Sequence, residues 1–279
     1  MAGPVVCGID FSEDSRRALR WADAWAGTVG SALVIVHAIE PLLASAAAVT
    51  YGDDALENSL EPDLREFVAD TGVTRAHTLH IGVGAPASVV HGAALAADAS
   101  LMVVGTQGLG QAARLWFGST TTKLLAETNI PVLAVPHGAD DAPAVAQFVV
   151  GVDFGAASDA AVDAARDAGE AWGVPVHCVH VVGAVPTHTR WNQLVASAAE
   201  EAMRDARARL ESLTAATRGT ISGEVQTGDP AERLIAAAAE GAVVVVGLGG
   251  QATSRRPGTI AYRVLSGAAA PVLGVPPRR

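Results

Sequence analysis

The sequence predicts an α/β fold: two tandem domains, each a doubly wound, parallel, five-stranded sheet. Three observations carry this. Short apolar runs without polar alternation recur between helical stretches, the signature of parallel strands covered on both faces. The pattern occurs twice, Val5-Val-Cys-Gly-Ile-Asp10-Phe11 being echoed by Phe148-Val-Val-Gly-Val-Asp153-Phe154 at an offset of 143 residues. One strand in each half runs into glycines that precede a helix rich in hydroxyl groups or their replacements.

In the first half Val5 to Asp10 reads as a strand. Ser12 to Ala26 follows as a helix, with small or apolar residues at Ala18, Leu19, Ala22 and Trp25 on one face. Ala32 to His37 is the second strand. A helix ends near Thr71-Gly72, with no periodic signal fixing its start between Pro41 and Glu61, and a third strand covers Thr74 to Ile81. Pro86 opens a helix to Ala97, as proline favours a first helical turn. Strand Leu101 to Val104, a helix from Ser119 to Thr128 and a last strand Pro131 to Val135 complete the unit.

The second half repeats the order. His37 is matched by His180, Gly84-Ala85-Pro86 by Gly228-Asp229-Pro230, Val103-Val104-Gly105 by Val245-Val246-Gly247, and Pro131-Val132-Leu133 by Pro271-Val272-Leu273. The domains expected are residues 1–138 and 146–279, joined by a small, acidic, proline-containing stretch from Gly138 to Ala144. Each has an ordinary single-domain size.

Composition narrows the function classes. Half the residues are hydrophobic, and the net charge of −10 argues against nucleic acid or anionic lipid as partner, because both need a basic surface. The longest apolar runs are too short to span a bilayer, and the first residues lack a basic stretch followed by an apolar one, so a cytoplasmic location is expected. Cys7 and Cys178 fall in different halves on presumed buried strands, which speaks against a disulfide or metal site.

The most informative stretch is Leu101-Met-Val-Val-Gly105-Thr-Gln-Gly108, nine residues, then Gly118-Ser119-Thr120-Thr121. Read as a phosphate cradle, Gly105 and Gly108 allow positive φ and close approach, and the helix starting at Gly118 turns free N–H groups and a positive dipole end toward anionic oxygens. Ser119, Thr120 and Thr121 add donors. Lys123, the only lysine, lies past the cradle, and no Walker motif is present. The dinucleotide-like Gly108-x-Gly110-x-x-Ala113 follows a late strand rather than a first one. If the strand order is 3-2-1-4-5, Asp10 faces Gly105 across the crevice beyond the carboxyl ends of the strands. Its carboxylate then has two readings: a partner for nucleoside hydroxyl or amino groups, or a cap for the helix near Ser12.

Asp10-Phe-Ser-Glu, His37-Ala38, Gly84-Ala-Pro86, the Gly105 to Ser119 spacing and Pro131-Val-Leu-Ala-Val together resemble the universal stress protein family, over both halves. The resemblance implies a tandem, ATP-binding member with adenine nucleotide alpha hydrolase-like sheets of order 3-2-1-4-5. It further implies a cytoplasmic homodimer that regulates stress or dormancy through a protein partner. By the family pattern, Asp10 and the backbone of Ala38 take the adenine end, and Gly8 and Gly105 lie near the ribose. Gly108, Gly118, Ser119, Thr120 and Thr121 take the phosphates of ATP, ADP or AMP, usually with Mg2+. Asp153, Val181, Gly247, Gly250, Gly258 and Thr259 occupy the same places in the second half, where the loop is two residues shorter and Ile260-Ala261 replaces two threonines.

Two further readings concern loops. Arg255 and Arg256 are candidates for compensating phosphate contacts, and Leu115-Trp116-Phe117 for a lid or a packing anchor. Three function classes follow: a nucleotide-binding regulator with little turnover, a slow ATP hydrolase or nucleotidyl-transferring enzyme on the same cradle, and a ligand-free protein-interaction scaffold.

Overall fold

The computed structural model describes residues 3–51, 55–107, 118–141, 143–183, 192–215, 221–249 and 259–278. The chain divides into two compact units, Met1–Ala144 and Val145–Arg279.

In the first unit the strands are β1 (Val5–Ile9), β2 (Leu33–Ile39), β3 (His77–Val83), β4 (Leu101–Gly105) and β5 (Val132–Val135). β1 pairs with β2 and β4, β2 with β3, and β4 with β5, all in parallel. The order is therefore β3-β2-β1-β4-β5. Val5, Val6, Cys7, Leu101, Met102 and Val103 are fully buried, as a sheet covered on both faces requires.

The helices are α1 (Glu13–Val29), α2 (Pro41–Tyr51), α3 (Ala55–Asp70), α4 (Pro86–Ala96) and α5 (Ser119–Glu127). α1 starts at the Ser12 cap, whose hydroxyl accepts from the Ser15 amide, and carries Glu13 and Asp14 at the positive end of its dipole. It stops at Gly30, whose φ of 67° suits glycine. Ala18, Leu19, Ala22, Trp25 and Ala26 form its buried stripe. Where one helix was expected between β2 and β3, two are present. α2 leaves Leu42 81% and Val49 90% exposed, so no buried stripe marks where it begins.

Gly8 and Gly105 sit at the centre of the sheet and serve opposite faces. A Cβ at Gly8 would lie 2.8 Å from Val90 of α4, and one at Gly105 would lie 2.9–3.0 Å from Asp14 of α1. Both glycines let a helix approach closely, which brings α1 and α4 onto either side of β1 and β4 and places the loops after those strands at one mouth.

The second unit repeats the scheme with β6 (Gln147–Gly151), α6 (Ala156–Trp172), β7 (Val176–Val182), α7 (Asn192–Ala215), β8 (Ile221–Thr227), α8 (Pro230–Ala237), β9 (Ala242–Gly247), α9 (Thr259–Gly267) and β10 (Val272–Val275). β6 pairs with β7 and β9, β7 with β8, and β9 with β10, again all in parallel. Among the described residues a single long helix, α7, lies between β7 and β8. No helix among the described residues is long and apolar enough to cross a membrane.

Candidate functional site

The mouth of the first unit lies past the carboxyl ends of β1 and β4. β1 pairs with β2 up to Ile9 and His37, so Asp10 and Ala38 both stand one residue beyond the last paired positions. Asp10 Oδ1 accepts from the Ser12 amide at 3.1 Å and also from the Ser12 hydroxyl. That hydroxyl in turn accepts from the Ser15 amide at 3.1 Å. Ser12, not Asp10, is thus the helix cap. Asp10 orders the cap with one oxygen, and among the described residues no donor reaches its Oδ2.

Phe11 follows at φ 64°, a left-handed conformation in which a bulky residue costs on the order of 1–3 kcal/mol. Its ring meets that of His37 edge-on, with centroids 4.8 Å apart. His37 Nδ1 lies 3.0 Å from the Ile9 carbonyl oxygen; a carbonyl only accepts, so Nδ1 carries the proton. These contacts hold the turn that carries Asp10.

Opposite Asp10, the backbone leaves β4 at Gly105. The Thr106 amide donates to the Val135 carbonyl at 3.1 Å, and the Gly118 amide donates to the Thr106 carbonyl at 2.7 Å. Gly118 is the N-cap of α5 at φ −54°, ψ 140°, and, being glycine, offers no side chain to cap the helix. The amides of Ser119, Thr120 and Thr121 therefore belong to a first turn with no intrahelical acceptor. Ser119 is exposed and Thr120 half-buried.

The geometry corrects the positive φ expected of Gly105 and shows what the other cradle residues touch within the protein. Gly105 has no positive φ; its missing side chain makes room for Asp14. Gly8 likewise serves the packing of Val90. The Gly118 amide is already bonded within the protein, and a Cβ there would lie a tight 3.0 Å from the Thr106 oxygen. Thr121 is 1% exposed and donates its hydroxyl to the Gly105 carbonyl at 2.9 Å, a tie between α5 and the end of β4. Gly108, Gly250 and Gly258 lie outside the described residues, as do Leu115, Trp116, Phe117, Arg255 and Arg256.

A model of the universal stress protein family matches residues 1–136 and again residues 146–276. The chain belongs to the universal stress protein family. It is similar to a universal stress protein of Mycolicibacterium smegmatis, 29% identical over 98% of this chain and 97% of the relative. It is also similar to one of Thermus aquaticus, 36% identical over 47% of this chain and 96% of the relative. A solved universal stress protein from Archaeoglobus fulgidus shares the fold, with a TM-score of 0.68 and 16% identity over 98% of both chains.

Within this family frame the second unit keeps one end of the mouth and alters the other. Asp153 Oδ1 accepts from the Gly155 amide at 2.9 Å, Phe154 stands at φ 59°, and His180 Nδ1 donates to the Val152 carbonyl at 2.7 Å. Val181 follows His180 on β7 as Ala38 follows His37 on β2. A Cβ on Gly247 would lie 2.5 Å from the Ala157 backbone, the same helix approach in a tighter form. Thr259 is exposed at the start of α9, but Ile260 is 43% exposed where Thr120 stands in the first unit. Buried Ala261, in the place of Thr121, has no hydroxyl to tie the helix to the strand.

The pattern of residues did not reveal one cluster beside the first mouth. Asp14, 4% exposed, accepts at Oδ1 from His137 Nδ1 at 2.7 Å and from Arg17 at 3.3 Å, while its buried Oδ2 has no partner among the described residues. Arg17 and Arg20 also reach Asp141, and Trp21 Nε1 donates to the Asp140 carbonyl. This fastens the segment after β5 to α1. Asp14 and His137 are 123 positions apart, so no local spacing could show the pair. His77 and His80 form no cluster: among the described residues no group of three or more His, Cys, Asp or Glu is arranged to hold a metal. Burial pushes the Cys7 thiol far up and that of Cys178 up to about 11.

Proposed function

We propose that the first unit binds an adenine nucleotide, ATP or its shorter relatives ADP and AMP, and that occupancy regulates the protein in stress or dormancy with little turnover. The observation that carries this reading is the first turn of α5, whose glycine N-cap offers no side-chain acceptor, set at the carboxyl end of the sheet with Asp10, whose Oδ2 has no donor among the described residues.

The two ends of the mouth suit the two ends of a nucleotide. Amides of a helix first turn, added to the dipole, favour anionic oxygens, and the hydroxyls of Ser119 and Thr120 stand beside them. Asp10, with one oxygen engaged by Ser12, has the other available for hydroxyl or amino groups of the nucleoside. Mg2+ in this reading is carried by the phosphates rather than by a cage of protein ligands. Lys123 is exposed and lies past the first turn of α5, which fits binding better than phosphoryl transfer.

The second unit, with Asp153 in place but Ile260 and Ala261 replacing hydroxyls, binds the nucleotide more weakly or serves as a scaffold. A homodimer and a regulatory protein partner belong to the same proposal.

Small molecules released from freshly purified protein should include an adenine nucleotide by mass spectrometry. Calorimetry should then show Asp10→Ala weakening ATP and adenosine alike, by about tenfold to a hundredfold for a lost charge-assisted hydrogen bond. A loss confined to ATP would remove Asp10 from the nucleoside end. Absence of ATP binding by the intact protein would defeat the reading.

A further inference from the structure

The turn that presents the strand-end aspartate has the same unusual construction in both units. Phe11 and Phe154 occupy φ 64° and 59°, a region glycine adopts freely and bulky residues avoid. Both copies nevertheless use phenylalanine. Each ring is seated on a histidine from the next strand, Phe11 on His37 at 4.8 Å and Phe154 on His180 at 4.6 Å between centroids. Each histidine also donates Nδ1–H to the carbonyl immediately before the aspartate, Ile9 at 3.0 Å and Val152 at 2.7 Å.

The aspartate is therefore gripped on both flanks. The imidazole fixes the peptide plane that precedes it, and the phenyl ring, resting on the same imidazole, fixes the residue that follows. The outer side of the phenyl is backed by unrelated means in the two units. In the first, Phe67 of α3 meets Phe11 at 5.3 Å and carries Arg16 over its own ring at 4.4 Å. In the second, Arg209 of α7 lies directly over Phe154 at 4.2 Å. Different residues on different elements support one geometry, so the geometry itself is what the two halves share.

We propose that Phe11 and His37 are positioning residues for nucleoside recognition: a strut that aims the Asp10 carboxylate, with Phe154 and His180 doing the same for Asp153. The strut touches no phosphate and needs no charge of its own. This inference rests on the nucleotide reading of the mouth and assigns part of its affinity to a pair of rings behind the contacting group.

The test separates aim from folding. Phe11→Gly allows the same φ without an aromatic ring, His37→Leu removes the donor to Ile9, and His37→Asn offers an amide N–H near the place of Nδ1. Binding of adenosine, ATP and inorganic triphosphate is measured by calorimetry on the full chain, beside each variant's thermal midpoint. Phe11→Gly and His37→Leu should lose about tenfold in affinity for adenosine and ATP alike and keep that for triphosphate, and His37→Asn should recover most of the loss. A residue that served folding alone would shift the midpoint and leave the adenosine affinity of the folded protein unchanged. That result, with the wild type binding adenosine, would overturn the strut while sparing the nucleotide reading. Failure of the wild type to bind adenosine or ATP would overturn both. Should Phe11→Gly not fold, the His37→Leu and His37→Asn pair decides on the same readings.

Discussion

The hydroxyl of Thr121 donates to the carbonyl oxygen of Gly105 across 2.9 Å, joining the first turn of α5 to the end of β4. The bond orients the helix whose first-turn amides are proposed to hold phosphate, and its donor is fully enclosed. A hydroxyl expected to be one more phosphate ligand in the Gly-Ser-Thr-Thr run is engaged within the protein.

Thr121→Val should accordingly lower stability by about 1–3 kcal/mol, since it leaves the Gly105 carbonyl without its donor. ATP affinity of the folded protein should stay within about twofold of wild type, a change under half a kcal/mol. Urea unfolding and calorimetry check the two halves of this statement. A large loss of affinity at unchanged stability would return Thr121 to the phosphate site.

The glycines that end β4 and β9 are matters of helix approach. Gly247→Ala would push a Cβ to 2.5 Å from the backbone carbon and oxygen of Ala157, and Gly105→Ala to 2.9 Å from the backbone of Asp14. Both should destabilise by about 1–3 kcal/mol or more, the former by the larger amount, because backbone cannot swing aside as a side-chain tip can. Thermal midpoints that leave both variants at the wild-type value would contradict the packing account.

Cys7 and Cys178 are buried, and burial raises the thiol of Cys178 to about 11 and that of Cys7 further. The thiolate is the reactive form, so neither should react with iodoacetamide in the native protein at neutral pH, while both should in denaturant. The linkage has a sign. The folded state keeps these protons where the unfolded chain releases them, so unfolding free energy falls as pH rises above about 8.5, the unperturbed thiol value. Rapid native labelling, or stability that rises through that range, would exclude the buried neutral thiols.

The inner strands were readable because they are buried on both faces and therefore appear as unbroken apolar runs, whereas the edge strands β3 and β8 carry polar, exposed residues among the apolar ones, and the repeat around Asp10 and Asp153 made each half a check on the other. α2 was not readable, because Leu42 and Val49 face outward and no apolar stripe marks its start. The roles of Gly105 and Thr121 escaped because glycine for helix packing and glycine for a ligand share one letter, as do a buried threonine and an exposed one. Asp14 and His137 meet only after β1 and β5 enter the same sheet. The aspartate's capping reading passes to Ser12, with Asp10 behind it: one carboxylate oxygen orders the helix start, and the other has no donor among the described residues.

The amides of the α5 first turn carry the proposed phosphate contact, and Ser119→Pro tests them directly. Gly118 at φ −54°, ψ 140° already has the conformation a following proline demands, and proline is favoured as the first helical residue, so the variant should fold as wild type does. It deletes the amide, and Ser119→Ala serves as the control that deletes only the hydroxyl. Calorimetry should show Ser119→Pro losing about tenfold in ATP affinity, or 1.4 kcal/mol, beyond any loss in Ser119→Ala, with adenosine affinity unchanged. Equal ATP affinity in Ser119→Pro and Ser119→Ala would contradict the claim that main-chain amides at this helix start hold the phosphates.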